Sequence, residues 1–406
     1  MFKKRILGVL LAVAIMTTIT GCDLFHQKDP DGSINIDTEQ GKKDNVDPWN
    51  DEDVANKVDE IQAYIDMYYY FETDEAAQEE AIYDGIMDGL GDPYSVYYTE
   101  EEFADLMETN SGEYFGVGAV VTQAADMTIS IVRPIPGSPA EEAGLMAEDI
   151  IVQVDDMEII DQELSLVVEK IRGADGTTAY IKVFRPSIND YLEFNVERRL
   201  VENVSVYYEM LDKNIGYIQV QQFYDNTAEE FIEAIEDLEK QGAKSLIVDL
   251  RDNPGGLLSA VIDMCSYIID GGTILTTKDK DGNVIEKYDD NNEHELDMPM
   301  VVLINGNSAS ASEIFAGAMQ DTDKAELVGT TSFGKGIVQS VIPLSDGTAI
   351  KLTIAKYFTP AGNDIHEVGI EPDYEVELPN GMQSAVNVKR EEDTQLKEAI
   401  KILLGE

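Results

Sequence analysis

Apolar residues recur at helical spacing between Asp51 and about Leu90, first as Val54, Val58, Ile61 and Ile65, then as Ala81, Ile82, Ile86 and Leu90. Gly91-Asp92-Pro93 stops that pattern, so the segment 51–97 is predicted to be helical. From about Tyr98 to Pro186 the pattern changes to short strands and turns. Phe115 to Val121 joins a glycine-containing loop to a strand, and Ile129 to Val132 is a second strand. Pro136-Gly137-Ser138-Pro139-Ala140 breaks into a short helix ending at Gly144. Asp149 to Val154 is a further strand, Asp155-Asp156 a turn, Leu164 to Ile171 an amphipathic helix, and Ala179 to Phe184 the last strand of this region.

Beyond it, strand and helix alternate. Ile215 to Gln222 reads as a strand, and Thr227 to Gln241 as a helix with Phe231, Ile232, Ile235 and Leu238 on one face. Lys244 to Arg251 is a strand with a nearly continuous apolar run, followed by the loop Asp252-Asn253-Pro254-Gly255-Gly256 and a helix from Leu257 to Ile269. The stretch from Lys278 through His294 is acidic and reads as loop. Met300 to Asn305 is again a strand and Ser310 to Met319 a helix. Continuous apolar strands alternating with helices predict an α/β core. Asp346-Gly347, between Ser340–Leu344 and Thr348–Ala355, predicts a hairpin, and the tail from Glu391 a charged amphipathic helix.

The first residues change the picture from a cytosolic to an exported protein. Lys3, Lys4 and Arg5 precede the apolar run Ile6 to Met16, which is too short to span a bilayer. Ile19-Thr20-Gly21-Cys22 resembles a bacterial lipobox, with Ile and Thr departing from the usual Leu-Ala/Ser. Residues 1–21 are thus expected to be a lipoprotein signal peptide, Cys22 the lipidated residue, and 22–50 a polar tether. The location expected is the outer face of the bacterial cell membrane; the plainer alternative is secretion with Cys22 unmodified. Cys265 is then the only thiol left, so no internal disulfide forms, and its apolar surroundings predict a buried structural cysteine. The 29 Lys plus Arg against 80 Asp plus Glu, a formal charge of −51, exclude a nucleic-acid binder.

The three histidines, His26, His294 and His366, form no metal-binding pair, and no cysteine cluster exists, so neither a metal site nor a cofactor is expected. His366 follows Thr359-Pro360-Ala361-Gly362, where it would serve a serine triad or simply end a strand. Asn305 to Glu313 carries the chain from a buried strand into a helix through small residues. A hydroxyl there lies beside free amides at the positive end of the helix dipole, suited to acyl transfer; alone, it equally describes an N-cap. In Ser332-Phe333-Gly334-Lys335-Gly336, a lysine between glycines can approach a neighbouring backbone, and if desolvated it can deprotonate a serine. An amide of Gly255 or Gly256 lies at a strand's carboxyl end, where α/β sheets place ligands.

Gly137-Ser138-Pro139-Ala140-Glu141-Glu142-Ala143-Gly144-Leu145, within its run of strands, resembles a PDZ domain of the bacterial protease type. That resemblance makes Tyr114, Phe115, Gly116, Val117 and Gly118 the loop that holds a peptide carboxylate, with Val120 opening the docking strand. Arg172 either pairs with a carboxylate or lies on the surface. Arg251-Asp252-Asn253-Pro254-Gly255-Gly256, Ser308-Ala309-Ser310-Ala311-Ser312-Glu313 and Phe333-Gly334-Lys335-Gly336-Ile337-Val338-Gln339, in that order, resemble the carboxyl-terminal processing peptidases, tail-specific serine proteases of the S41 family. Thr359-Pro360-x-Gly362 and Gly369-Ile370-x-Pro372-Asp373 complete the likeness, which runs from about Asp51 to Pro379. It implies Ser310 as nucleophile, Lys335 as general base, Gln339 completing the site, and Gly256, in preference to Gly255, with Ala311 as oxyanion donors. It also implies a multidomain α/β fold: a ClpP/crotonase-like peptidase core (187–380), an inserted PDZ β-module (98–186), and helical N-terminal (51–97) and C-terminal (381–406) segments. The partners implied are protein substrates bound by their C-terminal ends, a membrane through the lipid on Cys22, and further copies of the chain in a homo-oligomer. The competing readings are a membrane-tethered PDZ scaffold on an inactive peptidase fold and, remotely, a crotonase-like enzyme acting on acyl thioesters.

Overall fold

In the computed structural model, which describes residues 51–124, 126–290, 294–386 and 388–406, the helical spacing after Asp51 becomes two helices, α1 (Asp51–Tyr68) and α2 (Glu75–Asp88). The expected signal peptide (1–21), Cys22, the expected tether and His26 lie outside the described residues. Asp74 starts α2 by accepting a hydrogen bond from the Ala77 amide at 3.1 Å. The periodic residues Val54, Val58 and Ile61 remain exposed. Strand β1 (Val96–Tyr98) pairs antiparallel with residues 349–351 in the same unit.

The second unit begins with a helix, α3 (Glu100–Ser111), which corrects the expectation of strands and turns from Tyr98. Its first turn is Glu100-Glu101-Glu102, which suits the positive end of a helix dipole, and Phe103, Leu106 and Met107 follow at helical spacing. The β-module follows as β2 (Glu113–Gly116), β3 (Ala119–Gln123), β4 (Ile129–Pro134), α4 (Pro139–Ala143), β5 (Ile150–Val154), β6 (Met157–Glu158), α5 (Leu164–Ile171), β7 (Thr178–Arg185), β8 (Asp190–Glu197) and β9 (Arg199–Glu202). Ser138 caps α4 and Gly144, at φ 89°, ends it, as its sequence predicts. The sheet order is β3-β4-β5-β7-β8, with β6 beside β5, while β2 and β9 form a separate ribbon. Ala179 to Phe184 is therefore not the last strand: β8 pairs with β7 along its whole length. Alternate residues Ile129, Ile131, Ile181 and Val183 point inward onto Val167 and Ile171 of α5.

The α/β core comprises β10 (Val206–Leu211), β11 (Ile215–Val220), α6 (Thr227–Gln241), β12 (Ser245–Asp249), α7 (Leu258–Ile268), β13 (Gly272–Lys278), β14 (Val284–Asp290), β15 (Met300–Ile304), α8 (Ala311–Asp321), β16 (Ala325–Gly329), β17 (Ile337–Pro343), β18 (Ala349–Phe358), β19 (Tyr374–Glu375) and α9 (Thr394–Leu404). Its main sheet runs β10-β11-β12-β15-β16-β19, parallel except for β10. Every residue of β12 and β15 is buried, because both sheet faces are covered. Leu246, Val248 and Val302 pack into the cluster formed by α6, α7 and α8, whereas Ile247, Val301 and Leu303 meet Leu396 and Ala399 of α9. The acidic stretch after Lys278 is partly a strand rather than a loop. β14 is paired antiparallel to β13, and this ladder supplies the order that apolar alternation does not.

A buried ion cluster fastens α9 to the end of β12. Arg251 donates to Asp249 (Nε–Oδ1 2.9 Å, Nη2–Oδ2 2.6 Å), to Asp393 (Nη1–Oδ1 3.0 Å) and to Gln395 (3.0 Å). Burial opposes the guanidinium charge, and the two carboxylates more than offset it, holding the group above its ordinary pKa. Arg251→Ala would leave two buried carboxylates uncompensated, so unfolding in urea should show a loss of about 3–5 kcal/mol. Burial also pushes the Cys265 thiol up. A maleimide should accordingly leave Cys265 unmodified in the native protein and label it only once the chain is unfolded.

Candidate active site

Strands β12 and β15 lie side by side, Asp249 opposite Leu303, and the loops leaving their carboxyl ends meet. Asn253 organises the first loop. Its Nδ2 donates to the Val220 carbonyl (2.8 Å) and its Oδ1 accepts from the Gly255 amide (2.9 Å). Its own carbonyl accepts from the Ala309 amide (3.1 Å) and the Ser312 hydroxyl (2.9 Å), which binds the two loops together. Gly255 (φ 105°) and Gly256 (φ 148°) adopt conformations open to glycine. A Cβ on Gly255 would stand 2.8 Å from that of Ser310, and one on Gly256 2.1 Å from the Phe223 carbonyl oxygen. The Gly255 amide is thus committed to Asn253, while the amides of Gly256 and Ala311 have no acceptor among the described residues.

The three serines of the second loop differ in what their hydroxyls do. Ser308 Oγ donates to the Leu250 carbonyl (2.8 Å) and accepts from the Asn305 amide (3.0 Å). Ser312 Oγ is held by Asn253 as described. Ser310 Oγ is buried and has no hydrogen-bond partner among the described residues. Although Ser310 stands at the head of α8, its hydroxyl does not cap the helix. The Glu313 amide donates to the Ser310 carbonyl instead (2.9 Å), and the Ser310 amide donates to Glu313 Oε2 (2.8 Å). The backbone at Ser310 (φ 58°, ψ −114°) is strained for a residue with a side chain, a condition that persists only where surrounding structure enforces it.

Two side chains enforce it and bring Lys335 alongside. The carboxylate of Glu313, fully buried, accepts four hydrogen bonds: from Ser332 Oγ (2.6 Å) and the Gly334 amide (2.6 Å) at Oε1, and from the Ser310 and Lys335 amides (2.8 Å each) at Oε2. Burial raises its pKa, and the four donors oppose that rise. The buried Tyr357 hydroxyl reaches the carbonyl of Ser310 at 3.0 Å and also that of Lys335. Ser310 and Lys335 therefore share one carboxylate on their amides and one phenol on their carbonyls. Lys335 is 5% exposed, and Gln339, one turn of sequence on, is buried in β17. His366 packs its backbone against Gly336, where a Cβ would lie 2.5 Å from the His366 amide.

In the β-module, β3 is an edge strand facing α5, and a cavity of about 190 Å³ opens between them. Tyr114 and Val120 line it, as do Val168, Ile171 and Arg172. Gly118 (φ 78°) turns the preceding loop, and the Val117 and Gly118 amides have no acceptor among the described residues. The Phe115 amide is already engaged, by Glu108 Oε1 at 3.3 Å, and Gly116 pairs with Arg199. The Arg172 guanidinium lies 4.8 Å from the centre of the Tyr114 ring, inside the cavity's lining rather than on open surface.

Sequence reasoning gave no role to Glu313, Tyr357 or Asn253. For Glu313 a signal was present, since Ser-x-x-Glu is capping-box spacing. Tyr357 carried none, because a buried phenol in an apolar strand reads as core. These hydrogen-bond patterns predict opposite effects of two alanine substitutions on thermal unfolding. Ser308→Ala should cost about 1–2 kcal/mol, because Leu250 and Asn305 lose a buried partner. Ser310→Ala should be neutral or slightly stabilising, because it removes an unsatisfied hydroxyl.

Residues 214–376 match the peptidase family S41, and residues 130–185 match a PDZ domain. The chain is 38% identical over 326 residues to the carboxy-terminal processing protease CtpA of Bacillus subtilis, covering 80% of this chain and 69% of that one. It is also 38% identical over 321 residues to the carboxyl-terminal-processing protease of Synechocystis, covering 78% and 74%. A solved structure of an S41 protease from Bacteroides fragilis shares the fold with a TM-score of 0.53 at 19% identity, over 84% of this chain and 94% of the other. The segments that meet at Ser310 and Lys335 lie within the matched peptidase region. The chain thus belongs to peptidase family S41, a serine peptidase that carries a PDZ domain.

Proposed function

We propose that this peptidase cleaves proteins selected by their C-terminal ends, with Ser310 as nucleophile, Lys335 as general base and acid, and Gln339 completing the site. The observation that carries the assignment is the free Ser310 hydroxyl. Its neighbours Ser308 and Ser312 are spent on backbone carbonyls, while Ser310 is held in a strained turn by the side chains that also hold Lys335.

Lys335, acting as a neutral amine, takes the Ser310 proton as Oγ forms a bond to the scissile carbonyl carbon. The amides of Gly256 and Ala311, with no other acceptor among the described residues, donate to the oxyanion. As the C–N bond breaks, Lys335 returns the proton to the leaving amine. It then takes a proton from the water that attacks the acyl-enzyme, and gives it to Ser310 Oγ as that bond breaks. The reading prefers Gly256 to Gly255 because the Gly255 amide is committed to Asn253.

In the PDZ domain, within the segment 98–186 and with β8 extending its sheet, a substrate tail adds a strand to the edge of β3. The open Val117 and Gly118 amides and Arg172 suit its carboxylate, and the apolar wall of α5 suits its side chains. Residues 1–22 support export and lipid attachment at Cys22 on the outer face of the bacterial membrane. Exposed Ile61, Tyr64, Met67 and Tyr68 on α1 support a homo-oligomer.

The test is cleavage of an unfolded reporter with an apolar C-terminal tail by wild type, Ser310→Ala and Lys335→Ala. Activity should fall at least about 10³-fold in both variants with folding intact. An inert wild type that still binds the tail would favour the scaffold reading, and equal cleavage by all three would remove Ser310 as nucleophile.

A further inference from the structure

Two donors at one end of the PDZ groove are already in use by a carboxylate of the chain itself. Glu108, on α3, accepts from the Phe115 amide through Oε1 (3.3 Å) and from Arg172 Nη1 through Oε2 (3.4 Å). Phe115, in β2, precedes by two residues the Val117 and Gly118 amides, which are uncommitted among the described residues, and Arg172 lines the cavity. A peptide's terminal carboxylate carries the same charge and the same acceptor geometry as Glu108, and it seeks the same kind of donor.

The internal contact is built to be exchanged. Both of its hydrogen bonds are long, and the side chains of Arg172 and Glu108 are 36% and 32% exposed, so water can take over either partner. Arg172 does not depend on Glu108 for its position. Its guanidinium rests on the Tyr114 ring, and the helix that carries it, α5, is anchored by the buried Val167 and Ile171. Removing Glu108 would leave Arg172 in the cavity wall with its charge uncompensated.

We propose that Glu108 is a specificity-determining residue that competes with the substrate's C-terminal carboxylate for Arg172 and the Phe115 amide. A tail engages by displacing it, so tails whose apolar side chains fill the space beside Val168 and Ile171 are selected over those that offer a carboxylate alone. The inference rests on the reading of this groove as a binder of C-terminal ends.

The experiment uses the full chain carrying Ser310→Ala, so that bound peptide survives, with and without Glu108→Gln. The probe is a short fluorescent peptide ending in Leu-Ala-Val with a free carboxylate, compared with the same peptide as its C-terminal amide, by anisotropy. Glu108→Gln should tighten binding of the carboxylate peptide about three- to ten-fold and leave the amide unchanged. Added to Arg172→Gln, the same change should give a smaller gain than in the Arg172 background, because only the competition for the Phe115 amide then remains. Wild-type binding of the carboxylate peptide that is unaltered or weakened by Glu108→Gln would overturn the competition alone. An equal gain for the amide would do so as well, since it would show general loosening of the groove. If neither peptide binds either protein, the PDZ reading falls and the competition with it.

Discussion

One buried carboxylate determines the geometry of the candidate active site. Glu313 accepts hydrogen bonds from Ser310, Ser332, Gly334 and Lys335, so the turn into α8 and the loop before β17 are fixed by the same group. Burying a carboxylate is costly unless its lone pairs are satisfied, and here short charge-assisted bonds satisfy them. Because Glu313 binds the amide of Ser310, the turn needs no help from the hydroxyl. That is how a serine at a helix start, a position that ordinarily uses its Oγ as a cap, keeps it unspent. Tyr357 repeats the arrangement on the other side of the backbone, joining the carbonyls of Ser310 and Lys335.

The sheet supplies the rigid frame for this arrangement. Buried on both faces, β12 and β15 cannot shift register without breaking the fit of their side chains against α6, α7 and α8 on one face and α9 on the other. Their carboxyl ends therefore present the Asn253 and Ser310 loops at a fixed separation, and the hydrogen bonds from Ala309 and Ser312 to Asn253 close the gap. Arg251, two residues past the end of β12, ties the same strand end to Asp393 and so to α9. Stability and site geometry thus converge on a few residues around one strand terminus. The polar groups left open there, the Gly256 and Ala311 amides and the Ser310 hydroxyl, are the ones the proposed chemistry uses. The PDZ groove follows the same logic: the uncommitted Val117 and Gly118 amides lie beside the edge strand β3, where the proposed added strand would find its donors.

Much of the fold was legible because its determinants are local. Helix α5 appears where Leu164 to Ile171 places it, α6 where Thr227 to Gln241 does, and the Asp346-Gly347 turn joins β17 to β18. α3 and β14 escaped because the apolar stripe of the first is short, only Phe103, Leu106 and Met107, and the second has no apolar alternation. The first is an acidic helix with few buried residues, and the second a polar strand ordered by its partner. The helical spacing of α1 was real, yet it did not predict burial, since Val54, Val58 and Ile61 are exposed and Ile65 only half-buried.

By itself the sequence determined the family, through three short motifs in order, and the α/β class, through the period of its apolar residues. It placed the serine triplet between a buried strand and a helix and the lysine between two glycines, because strands, glycines and small residues are written locally. Only the tertiary structure decided which hydroxyl is unspent, which glycine amide is open, and what holds Ser310 and Lys335 together. Each of these depends on groups remote in the chain: Lys335 on Glu313 22 residues away, Ser312 on Asn253 59 residues away, Arg251 on Asp393 142 residues away. A motif fixes which side chains are available, but hydrogen bonds that close over such distances fix which of them are left free to react.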